Sequence, residues 1–232
     1  MTVLLGIETG SEACSVALWR DGEVIDRFEH APRRHAAIIL PMMESILAEA
    51  GVAKTGLDAL VLGRGPGSFT GLRIASSVVQ GVAYALDRQV VCISSLAALA
   101  AEVMDRRGAQ RVITALDARM NEVYWGAFRS GEDGLPEPML DECVIAPEQA
   151  PAPDAPDGSG PWFLAGPGFA AYADALLPRF DHGEGGLDAQ MLPRACHLMA
   201  LAARDFTLGR GVPADQARPV YLRDQVAWKK AV

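Results

Sequence analysis

From Val3 to Phe28 the apolar positions come in short runs and alternations that suit strands. Val3 to Ile7 is continuously apolar apart from Gly6, Cys14 to Trp19 alternates around Val16 and Leu18, and Glu23 to Phe28 follows the pair Asp21-Gly22. An Asp-Gly pair between two such runs is a strong signal for a tight hairpin, so the chain is predicted to open as a β-meander. The period then changes. Between His35 and Ala50, Ile38, Ile39, Met42, Met43, Ile46, Leu47 and Ala50 recur at helical spacing over an arc wider than one narrow stripe. Pro41 sits near the start of this helix and Gly51 is placed to end it. Leu57 to Leu62 predicts another strand, Leu72 to Leu86 a helix rich in small and β-branched residues, and Val90 to Ile93 a further strand. Ser94 or Ser95 can cap a helix running to about Arg107.

A second cycle follows. Arg111 to Leu116, Glu122 to Phe128 and Pro138 to Ile145 read as three strands before any helix, as at the start of the chain. The order predicts an α/β protein of mixed sheets with a degenerate second copy of the first unit, divided at residues 1–108 and 109–232. Pro147, Pro151, Pro153, Pro156 and Pro161 mark a stretch near 147–161 expected to be a flexible surface insertion. Beyond it, Trp162 to Ala165 predicts a strand, Phe169 to Leu177 and Arg194 to Leu208 predict helices, Asp181 to Asp188 a loop, and Pro219 to Arg223 an extended tail.

Composition narrows the function classes. Half of the 232 residues are hydrophobic and 22% are charged, the balance of a globular chain. The net charge of −8 disfavours a direct grip on nucleic acid, because neutralising phosphates takes clustered Lys and Arg in excess. Cys14, Cys92, Cys143 and Cys196 are scattered singly, which signals neither a zinc site nor a disulfide framework and suits a reduced compartment. Residues Met1 to Gly10 lack the basic and long apolar regions of a secretory signal, and no stretch approaches about 18 continuous apolar residues. A cytoplasmic protein without a membrane span is expected.

The most informative segment chemically is Gly63-Arg64-Gly65-Pro66-Gly67-Ser68-Phe69-Thr70-Gly71-Leu72-Arg73. It follows a strand and opens a helix, where free N–H groups and the positive end of the helix dipole can hold an anion. It lacks the Gly-Lys-Ser/Thr of a P-loop, and its third glycine falls one position too late for G-x-G-x-x-G. The alternative is a tight turn whose glycines allow positive φ and close packing. Glu8, beside Thr9, Gly10 and Ser11 in the first strand turn, is a lone carboxylate that either orients a metal-bound phosphate or is a solvated or turn-bonded acid. His35 is followed four positions later by Ile39, so a helical His pair is missing and His35 is expected to be a polar residue at a helix start. Asp117, Arg119 and Glu122 are expected to bond across a strand turn and fix it.

Taken together, several of these segments resemble the TsaB (YeaZ) family. They are Leu5-Gly6-Ile7-Glu8-Thr9 with Glu12 to Leu18, His35 with Leu40-Pro41-Met42, Gly63 to Ile74, Asp117 to Met120 with Glu122 to Trp125, and Pro219 to Arg223 with Val226 to Lys230. The resemblance implies an actin-like (ASKHA, ribonuclease H-like) fold of two related lobes. It also implies a role in making the threonylcarbamoyladenosine next to the anticodon of tRNAs. In that family the chain is a non-catalytic scaffold for the similarly folded enzyme TsaD, joined by the ATPase TsaE. ATP and metal are then expected on the partner subunits, none on this chain, and tRNA is met only indirectly. Ile39 in place of the second His of a TsaD-like His-x-x-x-His pair, and Glu8 in place of the usual Asp of the first phosphate turn, both favour a non-catalytic subunit.

The partner surface, or the surface of a homodimer when the partner is missing, is expected on the two long helices. Its residues are Ile38, Met42, Met43, Ile46 and Leu47, beside Leu72, Ile74, Val78 and Val82. Glu8, Thr9, Gly65, Gly67 and Ser68 would form a vestigial nucleotide turn. The alternative is a standalone ATP-binding enzyme of the actin-like class, using the turns at Glu8 and at Gly65 to Gly71. The family's older metallopeptidase label finds no support in these residues.

Overall fold

The computed structural model describes residues 1–153 and 160–223. The segment Val226 to Lys230 and the middle of the proline-rich stretch, including Pro156, lie outside the described residues.

The meander forms as the alternation predicts. Strands β1 (Val3–Glu8), β2 (Ala13–Arg20) and β3 (Glu23–His30) pair antiparallel, with Asp21 and Gly22 at positive φ in the hairpin turn. Helix α1 (His35–Ala50) ends where Gly51 takes a left-handed conformation, the position where a residue without Cβ is least strained. Strand β4 (Ala59–Gly63), helix α2 (Phe69–Leu86), strand β5 (Gln89–Ile93) and helix α3 (Ser95–Arg107) complete the first unit. Its sheet runs β3-β2-β1-β4-β5, with β4 and β5 parallel to β1. Because both faces of β1 and β4 are covered, both strands are buried along their whole length.

The second sheet starts the same way. β6 (Arg111–Arg119) and β7 (Glu122–Ser130) form an antiparallel pair, and β10 (Phe163–Ala165) extends the sheet parallel to β6. The predicted third strand, Pro138 to Ile145, is two short strands, β8 (Pro136–Pro138) and β9 (Cys143–Ile145), both paired with β7. Four residues, Met139 to Glu142, stand there opposite Gly126 and Ala127 of β7, so the strand bulges in the middle. The predicted helix Phe169 to Leu177 is interrupted at Tyr172, leaving α4 (Gly168–Ala171) and α5 (Ala173–Leu176). The predicted loop Asp181 to Asp188 ends in a short strand β11 (Leu187–Asp188), parallel to β10.

The proline-rich stretch is anchored at its start. Ala150 is buried, and the Trp125 indole N–H donates to the Pro151 carbonyl at 3.1 Å. Arg179 donates to the Pro147 carbonyl at 2.6 Å. The expected flexible insertion therefore does not begin at 147, because Trp125 needs a partner for its N–H once its ring is buried.

One sheet is built from strands before α3 and the other from strands after it, but the helices cross between them. Helix α6 (Ala195–Thr207) packs on the first sheet, where Ala195, Leu198, Met199 and Ala202 meet Leu4, Ala17, Val61 and Val91. Gly6 makes this approach possible, since a Cβ there would collide with the end of Met199. Helix α3 turns Leu96, Leu99, Ala100 and Val103 toward Val112, Phe128, Phe163 and Ala165 of the second sheet. Each lobe is thus closed by a helix from the other half of the sequence. Both sheets share the three-strand start with parallel extension, the two-lobed mixed α/β arrangement that the resemblance implies. No helix among the described residues is long and apolar enough to cross a membrane.

Candidate functional site

The glycine-rich loop after β4 lies against the turn between β1 and β2. The Ser68 N–H donates to the Gly10 carbonyl at 2.7 Å, and the Thr9 hydroxyl donates to the Gly71 carbonyl at 2.8 Å. A Cβ at Gly67 would collide with the Gly10 carbonyl, and one at Gly71 with the Thr9 carbonyl. These two glycines are there for backbone contact, and Gly65 for its φ of 92°. Ser68 caps α2, its hydroxyl accepting from the Gly71 N–H. The structure therefore brings Glu8, Thr9, Gly65, Gly67 and Ser68 together, as two turns pressed face to face.

Glu8 is not solvated. Its carboxylate is fully buried, accepting from the Gly10 N–H at 2.5 Å and from the Ser95 hydroxyl at 2.6 Å. Burial pushes its pKa up, against the hydrogen bonds from Ser95, Gly10 and Thr9 that favour the charged form. Gly63 leaves room for it, since a Cβ there would overlap the carboxylate. Glu8 thus ties the end of β1 to the start of α3. A second, half-buried acid reaches the neighbouring serine. Glu142, from the second lobe, accepts from the Ser94 hydroxyl and sits 3.8 Å from the Arg64 guanidinium. Its pKa is also raised by burial, partly offset by Ser94 and Arg64. Ser94 at the cap of α3 thus reaches across to the second lobe, while Ser95 beside it holds Glu8 within the first.

His35 starts α1 and is buried, with Nε2 3.1 Å from the Ser11 carbonyl and 3.2 Å from that of Ala13. Two carbonyl acceptors require the proton on Nε2, so the ring pins the helix to the first hairpin. Among the described residues, no group of three or more His, Cys, Asp or Glu is placed to hold a metal ion.

The broad apolar arc on the two long helices divides into two sets. Met43, Ile46, Leu47 and Leu72 are buried against Leu5, Ile7, Val16 and Leu60, so they hold the helices to the sheet and offer nothing to a partner. This corrects four of the nine expected interface residues: an arc that wide covers both the core side and the flank of each helix. Ile38, Met42, Ile74, Val78 and Val82 are half-buried at the edge of the same core. Outside them lie side chains absent from the expected set: Leu40 is 51% exposed and Phe69 55%. These two, with Ala36, Ile39, Arg73, Ile74 and Val78, line an open groove of about 500 Å³ between α1 and α2. The Arg73 guanidinium lies 3.8 Å from the centre of the Phe69 ring, and the Tyr221 ring packs 5.5 Å from it. Exposure is not encoded in helical period alone, which is why Leu40 and Phe69 escape a search for the widest apolar face.

In the second lobe the turn from Asp117 to Glu122 is bonded at its start, and not across itself as expected. Asp117 accepts from the Arg119 N–H at 2.8 Å and pairs with the Arg119 guanidinium at 2.8 Å. Glu122 instead pairs with Arg223 of the tail, a partner that no spacing along the chain announces.

Residues 28–174 match the family model described as TsaD, tRNA N6-adenosine threonylcarbamoyltransferase. Over 231 residues the chain is 41% identical to the tRNA threonylcarbamoyladenosine biosynthesis protein TsaB of Escherichia coli (strain K12), covering 98% of this chain and 97% of that protein. It is 39% identical to the protein of the same name from Haemophilus influenzae, with 98% and 96% covered. The crystal structure of YeaZ from Pseudomonas aeruginosa superposes with a TM-score of 0.87 at 44% identity, covering 96% of this chain and all of that one. The buried Glu8, the glycine loop closed on the Thr9-Gly10 turn and the groove between α1 and α2 therefore belong to a member of the TsaB (YeaZ) family.

Proposed function

We propose that this chain is a non-catalytic scaffold subunit of the machinery that forms threonylcarbamoyladenosine in tRNAs, acting in the cytoplasm with TsaD and TsaE. Its relatives carry the name of that biosynthesis over nearly their whole length. The observation that carries the scaffold role is the groove between α1 and α2. Leu40 and Phe69 stand exposed at a site where the core beneath is already complete, and contiguous exposed apolar surface marks an interaction site. The occupant proposed is TsaD, with a second copy of this chain taking its place when TsaD is missing. Arg73 supplies the cation of a mainly apolar groove whose other polar residues are Thr70 and Ser77, so the matching face should be largely apolar with an acidic edge.

The non-catalytic part rests on the closed pair of turns. Thr9, Gly10, Gly67 and Gly71 are in backbone contact, so a phosphate placed between them would have to part the turns. ATP and metal are then held by the partner subunits, and tRNA is met through them, in keeping with the net charge of −8. Reconstitution of tRNA threonylcarbamoylation from purified components tests the role. Activity should be lost when this chain is left out and restored when it is added, and activity indifferent to it would contradict the proposal.

A further inference from the structure

After α6 the chain runs back across the first lobe before reaching the second. Val212 bridges Val90 at the edge of the first sheet, and Ala217 is buried in the core beneath α2, its carbonyl accepting from Gln80 at 2.9 Å. The Val220 N–H then donates to the Arg64 carbonyl at 2.9 Å, which lays the chain along the glycine-rich loop. Tyr221 packs on Phe69 and its hydroxyl accepts from Arg73 at 3.4 Å. Two residues later Arg223 crosses to the turn between β6 and β7. Its guanidinium donates to the carbonyls of Ala118 at 3.1 Å and Arg119 at 3.3 Å, pairs with Glu122, and lies 3.4 Å from the Met120 sulfur.

That turn needs holding. Arg119, Met120 and Asn121 all have φ near +60° (61°, 57° and 58°), in a conformation that L-residues other than Asn and Asp rarely adopt. Such a run persists only where its surroundings over-determine it. Asp117 secures its start through the Arg119 N–H. Arg223 secures the rest: its Nη2 reaches the Ala118 and Arg119 carbonyls and the Glu122 carboxylate, and its Nη1 faces the Met120 sulfur. The turn in turn displays Met120, 66% exposed, and the exposed Arg119 guanidinium.

We propose that Ala217 to Arg223 is an interlobe strap, anchored on α2 and the glycine loop, whose Arg223 is a positioning residue that holds the β6–β7 turn in its left-handed form. The strap touches the groove through Phe69 and Arg73, but its hold on the β6–β7 turn is read on the chain alone and does not depend on the scaffold role.

Hydrogen–deuterium exchange of the full chain tests this directly. In Arg223→Ala, amides of residues 118–122 should exchange at least tenfold faster than in the wild type, while peptides from β1, β4 and α2 keep their rates. Unchanged exchange at the turn, or an equal rise across both lobes, would overturn the positioning role. Arg223→Lys keeps a charge for Glu122 but loses the second nitrogen that faces Met120 and the planar head that brings Nη2 within reach of both carbonyls, and should recover only part of the protection. Full recovery would assign the hold to the charge pair and contradict carbonyl capping. Tyr221→Ala does not touch the turn, yet by loosening the strap it should speed exchange there severalfold. A turn indifferent to it would overturn the strap as a unit.

Discussion

The two lobes open with the same three strands and then diverge in what covers them. In the first, α1 and α2 lay 16 and 18 residues on one face and α6 lays 13 on the other. In the second, one face takes α3, and the other has α4 and α5, four residues each. Short helices bury little aliphatic surface, and aromatic rings fill the gap: Trp125 lies between Phe169, 5.8 Å away, and Phe180, 5.2 Å away. Long helices have a flank left over once their core face is satisfied, and that flank is the groove. Four-residue helices have none to spare. The same starting unit thus yields a surface in one lobe and a compact support in the other.

The contrast is open to test by substitution. Trp125→Ala should have the largest effect, costing about 3 to 5 kcal/mol because a large ring is removed from a lobe with little to collapse around it. Exchange and thermal unfolding should place the loss in the second lobe, and a loss shared equally by the first would break the contrast. In the first lobe, Gly71→Ala puts a Cβ against the Thr9 carbonyl and should cost about 3 kcal/mol, the upper end of the usual range for overpacking. A neutral result in denaturant unfolding would mean that the two turns part easily.

A smaller, pH-dependent effect belongs to the seam between α3 and α6. There the His197 ring lies 3.4 Å from Glu102, which also pairs with Arg106 at 2.8 Å, and Arg194 lies close by. Burial alone would lower the His197 pKa, but contacts with Cys196 and Glu102 outweigh it and raise it to about 9 from an ordinary 6.5. A cation stabilised by folding contributes fully below the unfolded value, and the contribution fades as pH rises through the folded one. Stability should therefore fall between about pH 6.5 and 9, by roughly 3 kcal/mol at most. His197→Gln should flatten that slope. Burial would raise the Glu102 pKa, but its hydrogen bond and charge contacts with His197, then Arg106 and Arg194, lower it, so its share is lost instead as pH falls. A wild-type profile flat from 6.5 to 9 would show that the seam is uncharged.

Much of this was legible in the residues. The bounds of α1 follow from an apolar repeat closed by Gly51, and the β1 to β3 meander from Asp21-Gly22 between alternating runs. The close approach of Gly67 and Gly71 was one of two outcomes the glycine-rich segment allowed. What was not legible depends on contacts distant in sequence. The Glu8–Ser95 hydrogen bond spans 87 positions and the Arg223–Glu122 pair 101, and neither leaves a local pattern. Helical period located the apolar arc on α1 and α2 but not the sheet beneath it. Met43, Ile46, Leu47 and Leu72 were thus expected at the surface, and Leu40 and Phe69 were passed over, because only the sheet gives the helices an inside and an outside.

The groove on the first lobe is the central claim, and the affinity of the purified chain for TsaD measures it most directly. Leu40→Asp alters an exposed side chain and should leave stability within about 0.5 kcal/mol of the wild type, while Phe69→Asp also gives up the contacts with Arg73 and Tyr221 and should cost more than that without unfolding the chain. Each should weaken binding to TsaD at least tenfold, whereas Ala171→Asp, on the exposed side of α4, should leave it unchanged. Wild-type affinity in both groove variants, or an equal loss in the second-lobe variant, would contradict the assignment.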